Sequence, residues 1–222
     1  MSRPGLAVIF DMNGVIVDDM AYHERAWREF FLRRGKCLAA EEFHTQLAGR
    51  NNSETLRYVL DPSLSAEECA LLEAEKEALY RQAYESEMKL VPGLERFLTE
   101  LADHGVPMAV ATSAPPQNSR LVLDGLEIRR FFGAVVDASC IVRGKPYPDL
   151  FLAAAEALAA DPAACIVFED SLLGIEAAHR AGMKAIGVST THRGQALAGA
   201  ELVIDDFTGF GIESLRAAAG QR

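Results

Sequence analysis

Apolar and polar residues along this 222-residue chain follow two different periods. Leu6-Ala7-Val8-Ile9-Phe10 is an unbroken apolar run of strand length, the pattern of a parallel strand buried on both faces. From about Asp19 to Ser86 the period becomes helical. Tyr22, Ala26, Trp27, Phe30 and Phe31 repeat at helical spacing, and Gly35 supplies a stop. Ala40–Leu47 fits a second short helix, ended by the polar segment Gly49-Arg50-Asn51-Asn52-Ser53. Ser53–Leu60 and Ser65–Glu85 complete the helical block, the latter opening on the capping box Ser65-Ala66-Glu67-Glu68.

Beyond Val91-Pro92-Gly93 helices and strands alternate. Helix Gly93–His104 precedes strand Met108–Ala111, and helix Asn118–Gly125 leads to strand Ala134–Val136. Helix Pro148–Ala159 leads to strand Cys165–Phe168, and helix Leu172–Ala181 to strand Ala185–Val188, with a last short strand at Leu202–Ile204. This alternation predicts an α/β core built on a Rossmann-like parallel sheet covered on both faces. The first strand must rejoin that sheet after the helical block. Residues 18–88 therefore read as an α-helical domain inserted into a core formed by 1–17 and 89–222.

The formal net charge of −10, with no basic run to offset it, argues against a nucleic-acid or anionic-membrane partner. No apolar stretch is long enough to span a bilayer, and Met1-Ser2-Arg3-Pro4-Gly5 lacks the apolar region of a signal peptide. Cys37, Cys69, Cys140 and Cys165 are scattered without C-x-x-C spacing, as reduced thiols of a cytoplasmic protein would be. In that setting the sequon Asn51-Asn52-Ser53 reads as chance. The expectation is a cytoplasmic protein, a monomer or weak homo-oligomer.

Four segments fall after predicted strands, three of them immediately and Gly144-Lys145-Pro146 a short loop later, and should gather at one edge of the sheet: Asp11-Met12-Asn13-Gly14, Thr112-Ser113, Gly144-Lys145-Pro146 and Glu169-Asp170-Ser171. That edge is where open α/β sheets bind ligands. Gly14 permits a tight turn and lets backbone amides approach an anion. Singly, each segment has a plain structural alternative. Thr112 and Ser113 could cap the following helix, and Glu169-Asp170 could sit at the N-terminus of helix Leu172–Ala181. Together, and in this order, they point to nucleophilic attack by Asp11 on a phosphoryl group.

The same motifs, with Tyr22-His23-Glu24-Arg25-Ala26-Trp27, Tyr147-Pro148-Asp149-Leu150-Phe151 and Phe168-Glu169-Asp170-Ser171-Leu172-Leu173-Gly174-Ile175, resemble the haloacid dehalogenase superfamily, in particular its β-phosphoglucomutase-like sugar phosphatases with a helical cap. The resemblance implies a HAD-like fold and a hydrolase acting on a small phosphorylated metabolite through an aspartyl-phosphate on Asp11. It implies Mg²⁺ held by Asp11, the backbone carbonyl of Asn13 and Asp170, with Glu169 as a supporting acid. Lys145 would neutralise the transferring group, while Thr112, Ser113 and Gly14 would bind its oxygens. In the cap, His23, Arg50, Asn52 and Lys76 are candidates to reach substrate. Each of three has a rival reading: His23 as a histidine packed beside Trp27, Lys76 as part of the solvated face Glu73-Ala74-Glu75-Lys76-Glu77, and Arg50 as a solvated loop residue. Hinges are expected near Val15–Asp18 and Lys89–Pro92, so that the cap can close over the site.

Two departures from the family pattern matter. Asn13 stands where an aspartate usually protonates the leaving oxygen and activates the second nucleophile, help worth on the order of 10²–10⁴ in rate. Metal binding should survive, because the ligand there is a backbone carbonyl, but turnover of ordinary sugar phosphates should suffer. Asn13 can be an engineered change, a variant suited to good leaving groups, or the mark of a chain that has become a binding module. Secondly, Ala114-Pro115-Pro116 aligns with the Ser-Lys-Asn by which the mutases grip a distal phosphate, and offers neither cation nor side-chain donor. Hydrolysis therefore ranks above a mutase reading. A Schiff-base route through Lys36, Lys76 or Lys89 is a further alternative, with no matching motif around any of them.

Overall fold

The computed structural model describes residues 5–37, 47, 51–191, 197 and 199–220. Arg50 and, except for Leu47, the helix expected at Ala40–Leu47 lie outside that set. The chain forms two compact units, one of Met1–Asp18 with Met88–Arg222 and one of Asp19–Glu87. No helix of the described residues is long and apolar enough to cross a membrane.

The larger unit is built on a parallel sheet of six strands: β1 (Ala7–Phe10), β2 (Met108–Ala111), β3 (Ala134–Val136), β4 (Cys165–Glu169), β5 (Lys184–Val188) and β6 (Leu202–Ile204). They lie in the order β3-β2-β1-β4-β5-β6. Strand β1 is central, pairing Ile9 with Ala109 on one side and with Val167 on the other. All four of its residues are fully buried, which is why its sequence is apolar without alternation. The edge strands β3 and β6 are more exposed, and shorter.

Successive residues of β1 point to opposite faces of the sheet. Ala7 and Ile9 belong to a core cluster with Leu150, Phe151 and Ala154 of helix α6 (Asp149–Ala157) and Ile175 and Ala178 of helix α7 (Leu172–Arg180). Phe10 instead enters an aromatic cluster, stacked on Phe168 at 5.1 Å between centroids and meeting Phe97 of helix α4 (Leu94–Asp103) edge-on. Helix α5 covers Pro116–Gly125, two residues earlier than expected, because Pro116 supplies a first helical residue with φ already set. A last helix, α8 (Ile212–Ala219), was not expected. Only Ile212 and Leu215 are buried in it, too few to imprint a helical period on the sequence.

The smaller unit contains α1 (Met20–Leu32), α2 (Asn52–Val59) and α3 (Ala66–Tyr84). Trp27, Phe30 and Phe31 pack with Leu47, Leu56 and Cys69 as its core. Ser65 and Glu68 form the expected capping box of α3. Asn51, within the sequon, forms a second one with Glu54 and opens α2 one residue before Ser53.

Candidate active site

From β1 the chain builds β2 and β3 on one side and then crosses back to build β4, β5 and β6 on the other, so the carboxyl end of β1 is the switch point of the sheet. Asp11 is the first residue past that end, its amide bonded to Phe168 O of β4 at 3.0 Å. Glu169 closes β4, and Asp170 follows it. Oxygens of these three buried carboxylates lie within 4.8 Å of one another. Lys145, in the connection between β3 and α6, brings its ammonium 3.0 Å from Asp11 Oδ1 and 2.7 Å from Glu169 Oε2.

Three carboxylates against one ammonium leave this pocket electrostatically unbalanced. Burial raises the Asp11 carboxyl to about 7, with Lys145 pulling it down and Glu169 pushing it up. Burial, then Glu169 and Asp11, push Asp170 well above the usual carboxylate range. Burial would depress Lys145, yet Asp11 and Glu169 together hold it above its ordinary value. A buried, all-oxygen cluster short of positive charge has the chemistry of a hard divalent cation site, and Mg²⁺ fits it.

The turn after Asp11 is shaped to admit Asp170. Amides of Val15, Ile16 and Val17 all point at Met12 O, and Gly14 N donates to Val17 O at 2.7 Å. Gly14 has φ +77°, and a Cβ there would fall 2.0 Å from Asp170 Oδ2. The Thr190 hydroxyl donates to Gly14 O, a support that sequence reading missed. Asn13 is half-buried between Met12 and Gly14.

Thr112 is buried at the end of β2, its amide bonded to Val136 O. Its hydroxyl accepts from Ala114 N at 3.1 Å and so does not cap α5, whose N-cap is Pro115. Ser113 beside it is exposed. Glu169 has a structural duty as well: its Oε1 accepts from the amide and hydroxyl of Ser171, which itself caps α7 through Gly174 N.

In the helical unit, His23, Asn52 and Lys76 come together. Lys76 is 1% exposed, so the solvated-face reading of that residue is wrong. Its ammonium lies 2.8 Å from His23 Nδ1, 2.8 Å from Glu77 Oε1 and 5.0 Å from the centroid of Trp27. Asn52 Nδ2 donates to the same Glu77 oxygen at 2.9 Å. His23 stacks on Tyr80 at 3.8 Å, and the Tyr80 hydroxyl donates to Asp19, whose carboxylate is 3.6 Å from His23 Nε2. Burial, opposed by Glu77, lowers Lys76 from its usual value, and burial with Asp19 raises Tyr80. Asp19, Glu77 and Tyr80 were not singled out from the sequence. The spacing of Asp19 four before His23 and Tyr80 four after Lys76 was the available signal.

Buried carboxylates and a lysine at the switch point of a doubly wound sheet define the class, an α/β enzyme with a charged site at the carboxyl edge. The chain belongs to the haloacid dehalogenase-like hydrolases, whose family model matches residues 6–182. Among curated proteins it is 34% identical to β-phosphoglucomutase of Bacillus subtilis over 94% of this chain and 93% of that one. It is 32% identical to fructose-1-phosphate phosphatase of Escherichia coli, over 82% and 95%. A solved HAD hydrolase of family IA, variant 3, from Entamoeba histolytica superposes with a TM-score of 0.91 at 30% identity, covering 97% of this chain and all of that one. β-Phosphoglucomutase from Clostridium difficile superposes with a TM-score of 0.84 at 29% identity, over 96% of each chain.

Proposed function

We propose that the chain is a Mg²⁺-dependent phosphohydrolase that acts on a small phosphorylated metabolite of the sugar-phosphate class through an aspartyl-phosphate on Asp11. The observation that carries this reading is the Asp11–Lys145–Glu169 arrangement, one ammonium within 3.0 Å of two buried carboxylates at the strand ends, with Asp170 beside them. Relatives named for sugar-phosphate chemistry support the substrate class.

Asp11 attacks phosphorus as the carboxylate and forms the covalent intermediate, splitting one displacement into two. Lys145 holds that carboxylate in place and faces the negative charge of the transferring group. Thr112 stands at the next strand end, where its hydroxyl can donate to a phosphoryl oxygen. Asp11, Asn13 through its carbonyl, and Asp170 would hold Mg²⁺, with Glu169 in support. Bound there, the ion supplies positive charge to the phosphoryl oxygens. Asn13 orients by hydrogen bonding but exchanges no proton, so turnover of alkyl phosphates is slow. The helical unit acts as a cap whose His23–Lys76–Asn52 cluster contributes to substrate selection.

The test is acid-quenched mass spectrometry with Mg²⁺ and a phosphate donor. A phosphorylated peptide containing Asp11, absent in Asp11→Asn, is the expected result. Ligand binding with no phosphopeptide from any donor would instead mark a phosphometabolite-binding protein. A second reading, a β-phosphoglucomutase-like phosphotransferase, is favoured by the Bacillus subtilis relative. It is opposed by Ala114-Pro115-Pro116, where Pro115 and Pro116 are spent on opening α5. Isomerised sugar phosphate without released phosphate would establish the mutase.

A further inference from the structure

We propose that Thr190 and Thr191, in the loop that follows β5, are positioning residues of the metal site, Thr190 fixing the turn at Gly14 and Thr191 serving as the hydroxyl donor to Asp170. The inference rests on the reading of Asp11, the Asn13 carbonyl and Asp170 as Mg²⁺ ligands, and it adds the end of a further strand to the site.

Strand β5 pairs Gly187 with Glu169, so the residues beyond Val188 emerge beside Asp170. On its far side the loop is anchored to the end of β6. Ser189 N donates to Ile204 O at 2.9 Å, and the Ser189 hydroxyl donates to Asp205 Oδ1 at 2.7 Å. On its near side the Thr190 hydroxyl donates to Gly14 O, while Gly14 N donates to Val17 O at 2.7 Å. Gly14 is therefore held through both of its backbone groups. The Asn13 carbonyl shares one rigid peptide plane with Gly14 N, so fixing Gly14 also fixes that carbonyl.

Thr191 reaches the same place from the other side. The point where a Cβ of residue 14 would stand is 2.0 Å from Asp170 Oδ2 and 2.9 Å from Thr191 Oγ1, so turn, carboxylate and hydroxyl converge there. Thr191 Oγ1 is buried, and no hydrogen bond of standard geometry reaches it among the described residues. A buried hydroxyl in that condition is costly, and the carboxylate beside it is the acceptor it lacks. Asp170 needs such a donor. Lys145 pairs with Asp11 and Glu169, while Asp170 shares the cluster with two like charges. Burial, Glu169 and Asp11 raise the Asp170 carboxyl, and the Thr191 hydroxyl acts the other way. A donor on one carboxylate oxygen fixes the direction of the other, which is how outer partners orient metal ligands. Mg²⁺ tolerates little error in ligand placement, so loss of either threonine should appear in its affinity.

The test measures Mg²⁺ binding by calorimetry on the full chain without substrate, and melting in the presence of chelator. Thr191→Val keeps the shape of the side chain and removes the donor. Its Mg²⁺ affinity should fall about 10–100-fold, the loss that follows removal of an outer partner of a metal ligand. Its Tm in chelator should equal or exceed that of the parent, because the hydroxyl removed had no standard hydrogen bond to lose. Thr191→Ser keeps the hydroxyl and should restore most of the affinity. Thr190→Val should also weaken Mg²⁺ binding, and Thr190→Ser should recover it. Affinity unchanged in both Thr→Val variants overturns the proposal and leaves the metal site standing. So does a weakened Thr191→Val that melts lower in chelator and is not rescued by Thr191→Ser, since that is the mark of a purely structural residue. A parent that binds no Mg²⁺ overturns the metal-site reading and this proposal with it.

Discussion

Lys145 Nζ lies 2.7 Å from Glu169 Oε2, with the Glu169 carboxylate almost completely buried and Asp11 only 0.3 Å farther from the same ammonium. One cation thus answers two acids, and Asp170 adds a third to the cluster. Replacing it by Lys145→Ala removes the ammonium 3.0 Å from Asp11, the proposed nucleophile, and with it the positive charge proposed to face the phosphoryl group. A fall of about 10²–10³ in kcat is expected, the size seen when a preorganised charge-stabilising donor is lost. Mg²⁺ binding should move the other way and tighten, because one competing cation has left an acidic pocket. Steady-state kinetics read the first effect and calorimetric titration of Mg²⁺ reads the second. A weaker metal site in the variant would show that Lys145 holds the cluster together rather than competing for it.

Without metal, the Asp11 carboxyl titrates near 7, raised first by burial. The folded protein then binds a proton between the ordinary carboxylate value and 7 that the unfolded chain does not. Stability of the metal-free protein should therefore fall as pH rises through that window, the reverse of a salt-bridged aspartate. Metal binding must displace that proton. Mg²⁺ affinity is expected to climb with pH from 5 through about 7 as Asp11 ionises, and to go on rising while Asp170, also raised by burial, still holds a proton. Titrations in buffers of different ionisation enthalpy would reveal the released proton below pH 7. A constant affinity across that range would mean that Asp11 is already ionised in the metal-free state.

Gly14→Ala places a methyl group where Asp170 Oδ2 now sits, 2.0 Å from the ideal Cβ, at a φ of +77°. Neither the backbone nor the carboxylate can yield cheaply, since strain in this region costs about 1–3 kcal/mol and Asp170 is a cluster oxygen. The expected outcome is a lower Tm together with Mg²⁺ affinity reduced at least about tenfold, a loss of the size seen when support around a metal ligand is removed. Gly5→Ala, with open space around its Cβ position, is the matched control. Equal metal affinity in the two variants would show that Asp170 can be displaced without consequence.

The sheet and its active edge were legible because two strong periods meet short motifs. A five-residue apolar run followed by Asp11, or Cys165–Phe168 followed by Glu169 and Asp170, states both the strand and the place where its chemistry is delivered. What the sequence concealed was partnership. Lys76 sits among glutamates in a string that reads as solvated, yet the helix turns it inward onto His23 while Glu73 and Glu75 serve other contacts with Ser53 and Arg34. Buried polar clusters defeat hydropathy patterns because burial there depends on who supplies the compensating charge. Thr190, 176 residues from Gly14 in the chain, is a contact that only the fold creates.

Lys76 and Glu77 form a buried ion pair, 1% and 4% exposed, inside the helical unit. Removing one member of such a pair is harsher than removing both. The survivor keeps its desolvation penalty and loses the charge that offset it, a loss of about 3–5 kcal/mol. Lys76→Met should therefore destabilise the helical unit by that amount, leaving the Glu77 carboxylate without the ammonium while Asn52 still donates to it. The double variant Lys76→Met with Glu77→Leu should recover most of the loss, because two apolar side chains of similar volume need no compensation. Recovery will be incomplete, since Asn52 and His23 each lose a partner in the double variant. Hydrogen exchange of α3 amides and urea melts of the three proteins measure the effect. A single variant as stable as the parent, or a double variant no better than the single, would show that the pair is not the electrostatic centre of this unit.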